Sequence, residues 1–228
     1  MRTLGRLLTT IVLGALAAPP SGLHAQAPTE LADMCKAVGE AQVGQWASFD
    51  ATASTGGGKL RLAVVGSERS GDSTFYWFEV NAAGKDPSRS GIVQILAPNL
   101  ASGATSPRAL IVKWGGQPAV KVSGQMAGMM AQKEGQGSSA FDWAAQCTSA
   151  HVVGWESVTV PAGTFRALHV TANDGTEVWG SREVPLGMVK LRSKKGDLTL
   201  SARGTDAKSS ITEKPLEMPG MMMPPSKP

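Results

Sequence analysis

Residues His151–Gly204 read HVVGWESVTVPAGTFRALHVTANDGTEVWGSREVPLGMVKLRSKKGDLTLSARG, and this stretch decides the fold. Apolar and polar residues alternate along it, and turn residues interrupt it at short intervals. A period of two is typical of a half-buried antiparallel sheet, in which successive side chains point to opposite faces. Pro161-Ala162-Gly163 and Asn173-Asp174-Gly175 combine a fixed or tight backbone with a permissive glycine, as sharp reversals require. The stretch therefore predicts a series of hairpins.

Three motifs in this stretch resemble those of a known group of proteins. They are VPAGTF (Val160 to Phe165), VWGS (Val178 to Ser181) and VPLGMVK (Val184 to Lys190). Together they resemble a pattern of secreted bacterial proteins of unknown function, which are similar to the half-barrel lipoprotein and lipid carriers of the LolA/LolB type. The resemblance covers the last part of the chain, implies a half-barrel fold and brings no catalytic residues with it.

The rest of the chain extends the strand pattern and adds a helix. Leu31, Met34, Cys35 and Val38 recur at helical spacing, which predicts a short amphipathic helix laid on the sheet. We expect a curved antiparallel sheet or half-barrel of about nine to eleven strands, with one or two short helices on its concave side. Alternation outside the first stretch predicts strands at 43–53, 59–65, 73–80, 91–97 and 109–114.

Residues 1–25 have the features of a secretory signal peptide. Arg2 and Arg6 precede an apolar run, and the segment ends in Leu23-His24-Ala25, so cleavage is predicted before Gln26. The apolar run is too short for a membrane span, and no later stretch approaches the roughly 20 residues that an integral span requires. The expected location is the periplasm or the extracellular space.

The mature chain is predicted to be one domain with a tail. Residues 26–210 form the β domain, and residues 211–228, rich in proline and methionine, form a disordered segment. Loss of the signal peptide lowers Lys+Arg from 22 to 20 against 18 acidic residues, which leaves a net charge of about +2. Such a small positive charge argues against nucleic acid as a partner.

The two cysteines, Cys35 and Cys147, both lie in the part predicted to be exported. An oxidising compartment favours pairing, and both cysteines have apolar neighbours, so a disulfide is predicted. Two buried free thiols are the alternative, because free cysteine is also commonly buried.

Residues suited to catalysis or metal binding are scarce. After cleavage only His151 and His169 remain, and the chain has no G-x-S-x-G, H-E-x-x-H or C-x-x-C motif. His169 is interpreted as a structural residue at a sheet surface, and Glu156 as a lone carboxylate without a partner. We therefore predict a protein that is not an enzyme, with no catalytic residue, metal site or cofactor.

Candidate ligand contacts are aromatic and methionine side chains. Residues 117–133 place methionines at helical spacing, but Gly124 and Gly128 weaken a helix by about 1 kcal/mol each, so a marginal helix or mobile lid is predicted. The aromatic strand 73–80 contributes either a ligand-contacting wall or a core packed on both sides. The candidate ligand-binding residues are Trp77, Trp114, Met126, Met129, Met130 and Trp179.

The predicted function is that of an exported, non-enzymatic envelope protein. Its ligand would be a lipid, acyl chain or other apolar molecule held in the half-barrel, and its partner a lipid or lipoprotein. The alternative is a structural or interaction module with a filled core and no ligand. A third interpretation is Cu(I) binding by soft thioethers in the methionine-rich tail (Met218, Met221, Met222 and Met223), although no cysteine or histidine stands near them to complete a site.

Overall fold

The computed structural model describes residues 27–52, 57–84, 90–100, 107–123, 126–129 and 147–218. Its elements, in chain order, begin with one helix and continue with twelve strands. They are α1 (Ala27–Gly39), β1 (Trp46–Thr52), β2 (Gly58–Ser70), β3 (Ser73–Gly84), β4 (Gly91–Ala97), β5 (Ala109–Trp114), β6 (Val120–Ser123), β7 (His151–Val160), β8 (Gly163–Thr171), β9 (Glu177–Gly180), β10 (Met188–Ser193), β11 (Gly196–Gly204) and β12 (Leu216–Glu217).

All twelve strands belong to one open, curved sheet, in the order β12-β6-β5-β4-β3-β2-β1-β11-β10-β9-β8-β7. Neighbours run antiparallel except β12 and β6, which are parallel. Strands β2 to β6 form one consecutive meander and β7 to β11 form another, and β1 joins them by pairing with β2 on one side and β11 on the other. The predicted mainly-β fold class is confirmed.

One face of the sheet, which we call the core face, carries the main apolar cluster. Phe49, Val64, Phe78, Leu110 and Leu200 lie on this face by register, and all are buried. Their alternation with polar residues produced the period of two in the sequence. Each large buried side chain of this kind stabilises the fold by about 1.5–3 kcal/mol relative to an exposed one.

Helix α1 packs on this cluster through the apolar stripe that the sequence predicted. Leu31 and Met34 are buried, and Met34 lies directly over Gly180, where any side chain would collide with its sulfur. Cys35 and Cys147 form a disulfide in the structure, with their Cα atoms 5.7 Å apart. The bond fastens α1 to the short 3-10 turn (Cys147–Ser149) that precedes β7. Within the described residues, no helix has the length and apolar character needed to cross a bilayer.

The prediction of a helix or lid over 117–133 was wrong in its first part. Val120–Ser123 is strand β6, and helical backbone is found at 126–129. Val120 and Val122 pair with Val112 and Leu110 of β5, so their β-branched side chains continue the core face. The helical spacing that begins at Val122 is therefore coincidental.

Residues 205–218 follow β11 and cross the opposite, outer face of the sheet; we call them the C-terminal strap. The strap starts at β1, where Trp46 Nε1 donates a hydrogen bond of 2.8 Å to Asp206 Oδ1. It passes over β3 and β4, where Ile211 packs with Ile111 and the half-buried Trp77. It ends as β12 beside β6. The predicted tail starts at residue 211; residues 211–218 belong to the strap, and 219–228 lie outside the described residues, as does the predicted signal peptide.

Candidate functional site

Much of the core face is filled by the protein's own side chains, although Leu60, Val80 and Val93 on this face are only partly buried. Phe49, Val64 and Leu200 have no accessible surface, and Met34 of α1 and Ala127 belong to the same cluster. Close packing of this kind resists insertion of further groups. Contacts with another molecule are therefore to be sought at the margins of the sheet.

Apart from Val43, which precedes the central strand β1, the exposed large apolar side chains of the described residues come from near the two ends of the sheet. At the β12 end they are Trp114 (44% exposed), Met129 (58%), Leu216 (58%) and Met218 (47%), which we call the β12-end patch. At the other end they are Val153 (62%) and Trp155 (39%) of β7. Single exposed apolar residues are ordinary on protein surfaces, but groups of them mark contact surfaces.

Strand register shows how the β12-end patch is built. Trp114 pairs with Gly91, and its ring lies over that glycine, where a side chain would collide with it. Leu216 pairs with Val120, which in turn pairs with Val112. Because alternate residues share a face, Trp114 and Leu216 both lie on the core face, at its rim. Met129 ends the helical turn that follows β6, and the neighbouring Ala127 is anchored in the core cluster.

Two ion pairs fix the strap to the outer face of the same strands. Lys113 Nζ lies 2.6 Å from Glu213 Oε1, and Lys121 Nζ lies 3.5 Å from Glu217 Oε1. The hydrogen bond from Lys113 is the main cause that lowers the pKa of the Glu213 carboxyl below its usual value. By strand alternation Lys113 and Lys121 point to the outer face, so the strap carboxylates neutralise them on the side of the sheet opposite Trp114 and Leu216.

The structure separates the six predicted ligand contacts. Trp114, Met126 and Met129 come from the β12 end of the sheet, with Met126 half-buried. Trp77 lies on the outer face under the strap, and its Nε1 donates a hydrogen bond of 2.9 Å to Glu68. Trp179 is buried near the other end of the sheet. Met130 lies outside the described residues.

Trp179 is the centre of a polar cluster on β7 to β10 that the sequence analysis missed. The His169 ring stacks on the indole at 4.4 Å between centroids. His169 Nδ1 lies 3.2 Å from Glu156 Oε1, and Nε2 lies 3.3 Å from Glu177 Oε1. Trp179 Nε1 also donates a hydrogen bond to Glu156. The prediction that Glu156 is a lone carboxylate was wrong, because two neighbouring strands supply its partners.

Two cations complete the Trp179 cluster. Lys190 Nζ and the Arg192 guanidinium lie 5.0 and 5.6 Å from the indole centroid, and Arg192 NH1 lies 3.2 Å from Glu177 Oε2. The described contacts of His169 include carboxylates and an indole but neither a hydroxyl nor a thiol. Among the described residues, no group of three or more His, Cys, Asp or Glu side chains has the arrangement of a metal site. The cluster links four strands through charge and stacking.

The β7 end of the sheet carries a second feature that the sequence analysis missed. The Arg166 guanidinium of β8 lies 4.9 Å from the ring centroid of Trp155, which is exposed on β7. The sequence signal was available, because β7 combines a tryptophan and four valines with a single carboxylate. Alternation alone did not reveal that β7 is an edge strand.

No family model and no curated protein matches the chain. It is similar to the crystal structure of MucB, with a TM-score of 0.41 and 15% identity over 80% of this chain and 61% of that one. A chain in the Pseudomonas aeruginosa MucA/MucB complex gives a TM-score of 0.44 and 13% identity over 82% of this chain and 59% of that one. The chain thus spans about three fifths of the length of both.

A protein from Bacteroides fragilis NCTC 9343, described as exported and YmcC-like in fold, is also similar to this chain. Its TM-score is 0.32 and its identity 10%, over 72% of this chain and 96% of that one. All three likenesses are distant, so none of them carries a function over to this chain.

Proposed function

We propose that this protein is an exported, non-enzymatic binding protein that takes an apolar ligand of the acyl-chain class at the β12-end patch. The observation that carries the proposal is the grouping of exposed Trp114, Met129, Leu216 and Met218 at one end of the sheet. The buried side chains of the core face support a site at the rim of the sheet rather than deep inside it.

The chemistry of the patch suits a flexible apolar ligand. Methionine is unbranched and polarizable, so Met129 and Met218 adapt to chains of different shape. Trp114 offers a broad indole at low conformational cost. Lys113 and Lys121 point to the outer face and are paired with strap carboxylates, so the proposal rests on the apolar contacts of the patch alone.

Export and the absence of catalysis are part of the proposal. The signal-peptide pattern of residues 1–25 and the Cys35–Cys147 bond support an oxidising compartment outside the cytoplasm. The resemblance of the turn motifs to LolA/LolB-type carriers supports a lipid or lipoprotein as the partner. In the described part of the chain, His169 is the only histidine that lies between two carboxylates, those of Glu156 and Glu177. These surroundings favour a structural role for His169.

The test is binding of oleate to the delipidated mature protein, followed by native mass spectrometry and titration calorimetry. We expect one bound oleate per chain, and Trp114→Ala with Leu216→Ser should weaken binding at least about tenfold, because both side chains are exposed contact groups. The melting temperature should change little, since exposed substitutions usually stay within about 0.5 kcal/mol.

Val153→Ser with Trp155→Ala is the matched control, because it removes equivalent apolar groups at the opposite end of the sheet. It should leave oleate binding unchanged. Equal loss in both double variants, or no stoichiometric oleate on the wild type, would contradict the proposal. The second result would favour an interaction module without a ligand, a candidate that the filled core face supports.

A further inference from the structure

Among the strands that the structure describes, β7 ends the sheet and pairs with β8 along one side only. Edge strands are commonly protected by shortness, by proline or by lysine, because their free N–H and C=O groups can pair with another chain. Strand β7 has ten residues and contains neither proline nor lysine, and a β-bulge, which also protects edges, interrupts only its first half, between Val152 and Gly154. It is therefore a long edge that the sequence leaves available for pairing.

A β-bulge turns apolar surface outward in the first half of this edge. The register with β8 shifts between Val152 and Gly154, and Gly154 has a φ of 151°, a conformation that glycine adopts readily. Bulges insert an extra residue and re-aim the neighbouring side chains. Here the extra residue is Val153, and it is among the most exposed large apolar side chains of the described chain.

A cation adjoins this apolar surface. Arg166 pairs with Ser157 of β7, and its guanidinium reaches over the ring of Trp155. Other outward cations of the sheet, such as Lys59, Lys113 and Arg192, lie against carboxylates. No carboxylate of the described residues makes such a pair with Arg166. Its charge is therefore available to a partner, beside an exposed tryptophan.

We propose that β7 binds an extended acidic segment of another protein, which adds to the sheet as a further strand. The main-chain groups of β7 supply hydrogen bonds, which give affinity without sequence preference. An apolar side chain of the segment covers Trp155, and an acidic side chain two positions away pairs with Arg166. This spacing follows from the alternation of a strand, because residues two apart share a face.

Tryptophan and arginine are the residue types that most often dominate binding energy at protein interfaces. Arg166 also specifies the sign of the partner's charge, which makes the proposal selective. This surface lies at the opposite end of the sheet from the β12-end patch, so it is independent of the acyl-chain proposal.

The test uses two synthetic peptides of about ten residues, a typical length for a long strand. Both alternate Val and Thr, and they differ only in a central Glu or Lys. Binding to the full mature protein is measured by fluorescence anisotropy. We expect the Glu peptide to bind at least about tenfold more tightly than the Lys peptide, because only the former pairs with Arg166.

The charge-reversing substitution Arg166→Glu should make the Lys peptide bind more tightly than the Glu peptide. A variant that had only lost its fold would not show this inverted preference. Arg69→Glu is the matched control, because it changes the net charge equally at a distant exposed strand end and should preserve the preference for Glu. Trp155→Ala should weaken the binding of both peptides. A Glu peptide with alternate amides N-methylated should fail to bind, because it lacks donors for strand pairing.

Three outcomes would overturn the proposal. One is the absence of binding by either peptide at about 1 mM, the limit of weak recognition. Another is a preference that Arg166→Glu leaves unchanged. The last is a concentration-dependent dimer that Trp155→Ala abolishes, since the β7 edge would then be an interface between two copies of this chain.

Discussion

Glu79 is the residue whose environment departs most from expectation, because its carboxylate is 1% exposed on the outer face of β3. It accepts hydrogen bonds from Gln94 Nε2 at 2.8 Å, from the Ser210 backbone N–H at 2.9 Å and from the Ser210 hydroxyl at 2.6 Å. The Arg61 guanidinium lies 3.8 Å away. A carboxylate removed from water is tolerated only when its lone pairs are satisfied in this way.

Replacing Glu79 by glutamine should lower the free energy of unfolding by about 2–3 kcal/mol, because an amide has one acceptor oxygen for three donors and leaves buried groups unpaired. Urea denaturation measures the change. Asp50→Asn is the control: Asp50 pairs with Lys59 at 2.7 Å but both side chains are exposed, so the loss should stay below about 1 kcal/mol. Equal small losses of unfolding free energy in both variants would contradict the prediction that the buried hydrogen bonds of Glu79 stabilise the fold.

Strand alternation determines the face to which Glu79 points but not its burial. Alternation along β3 places Glu79 on the face opposite Phe78, and the structure agrees. Its partner Ser210 is 131 positions away in the chain. A partner so distant leaves no local pattern, and the same applies to Trp46 with Asp206 and to Glu156 with Trp179.

Among the elements, the C-terminal strap is held mainly by polar contacts. Hydrogen bonds and ion pairs fix it at Asp206, Ser210, Glu213 and Glu217, whereas Ile211 is its one buried large apolar side chain among the described residues. Polar contacts of exposed groups depend on charge state and salt much more than apolar contacts do. The strap should therefore respond to solution conditions that leave the sheet intact.

Acid should weaken the strap. The hydrogen bond from Trp46 lowers the pKa of Asp206 from its ordinary value of 3.8, and that from Lys113 lowers the pKa of Glu213 from 4.5. Carboxyl groups with lowered pKa values stabilise the folded state above their unfolded values, and this contribution is lost as pH falls through the folded ones. The gap in melting temperature between wild type and Asp206→Asn with Glu213→Gln should be constant near neutrality and close progressively as the pH falls below the ordinary values of 3.8 and 4.5.

The effect of salt on the melting temperatures tests this prediction. Because both carboxylates are exposed, about 1 M NaCl should reduce the part of the gap that is due to the Lys113 ion pair at neutral pH. A gap that persists unchanged in strong acid would show that the two substitutions act through packing instead of charge.

The elements themselves were largely predictable where their pattern was local. Strands β4 and β5 were predicted with the bounds that the structure has, because short runs rich in apolar and β-branched residues are flanked by glycine or proline. Strand β6 was not predicted, because a four-residue strand contains only two alternations and because Val122 also fitted a helical period. The edge position of β7 could not be predicted, because alternation does not specify strand order.

At the scale of the whole molecule, the Cys35–Cys147 bond connects α1 to the second meander across a sequence separation of 112 residues. Replacing both cysteines by alanine should lower the free energy of unfolding by about 4 kcal/mol, because a loop of this length restricts the unfolded chain strongly. Chemical denaturation of the oxidised wild type and the double variant measures it. A loss under about 1 kcal/mol would mean that the unfolded chain gains little freedom when the bond is removed.

The position of β1 between β2 and β11 imposes an order on folding. A chain emerges from its N-terminus, so β1 can pair with β2 early, but its other side waits until residues 196–204 are available. Until then the first meander has an unpaired strand edge at β1, and such edges invite association with other chains. Non-local pairing of this kind also forms slowly. A protein built this way is most vulnerable to aggregation while its synthesis is incomplete, and a truncation that removes β11 should be insoluble even though every earlier strand is present.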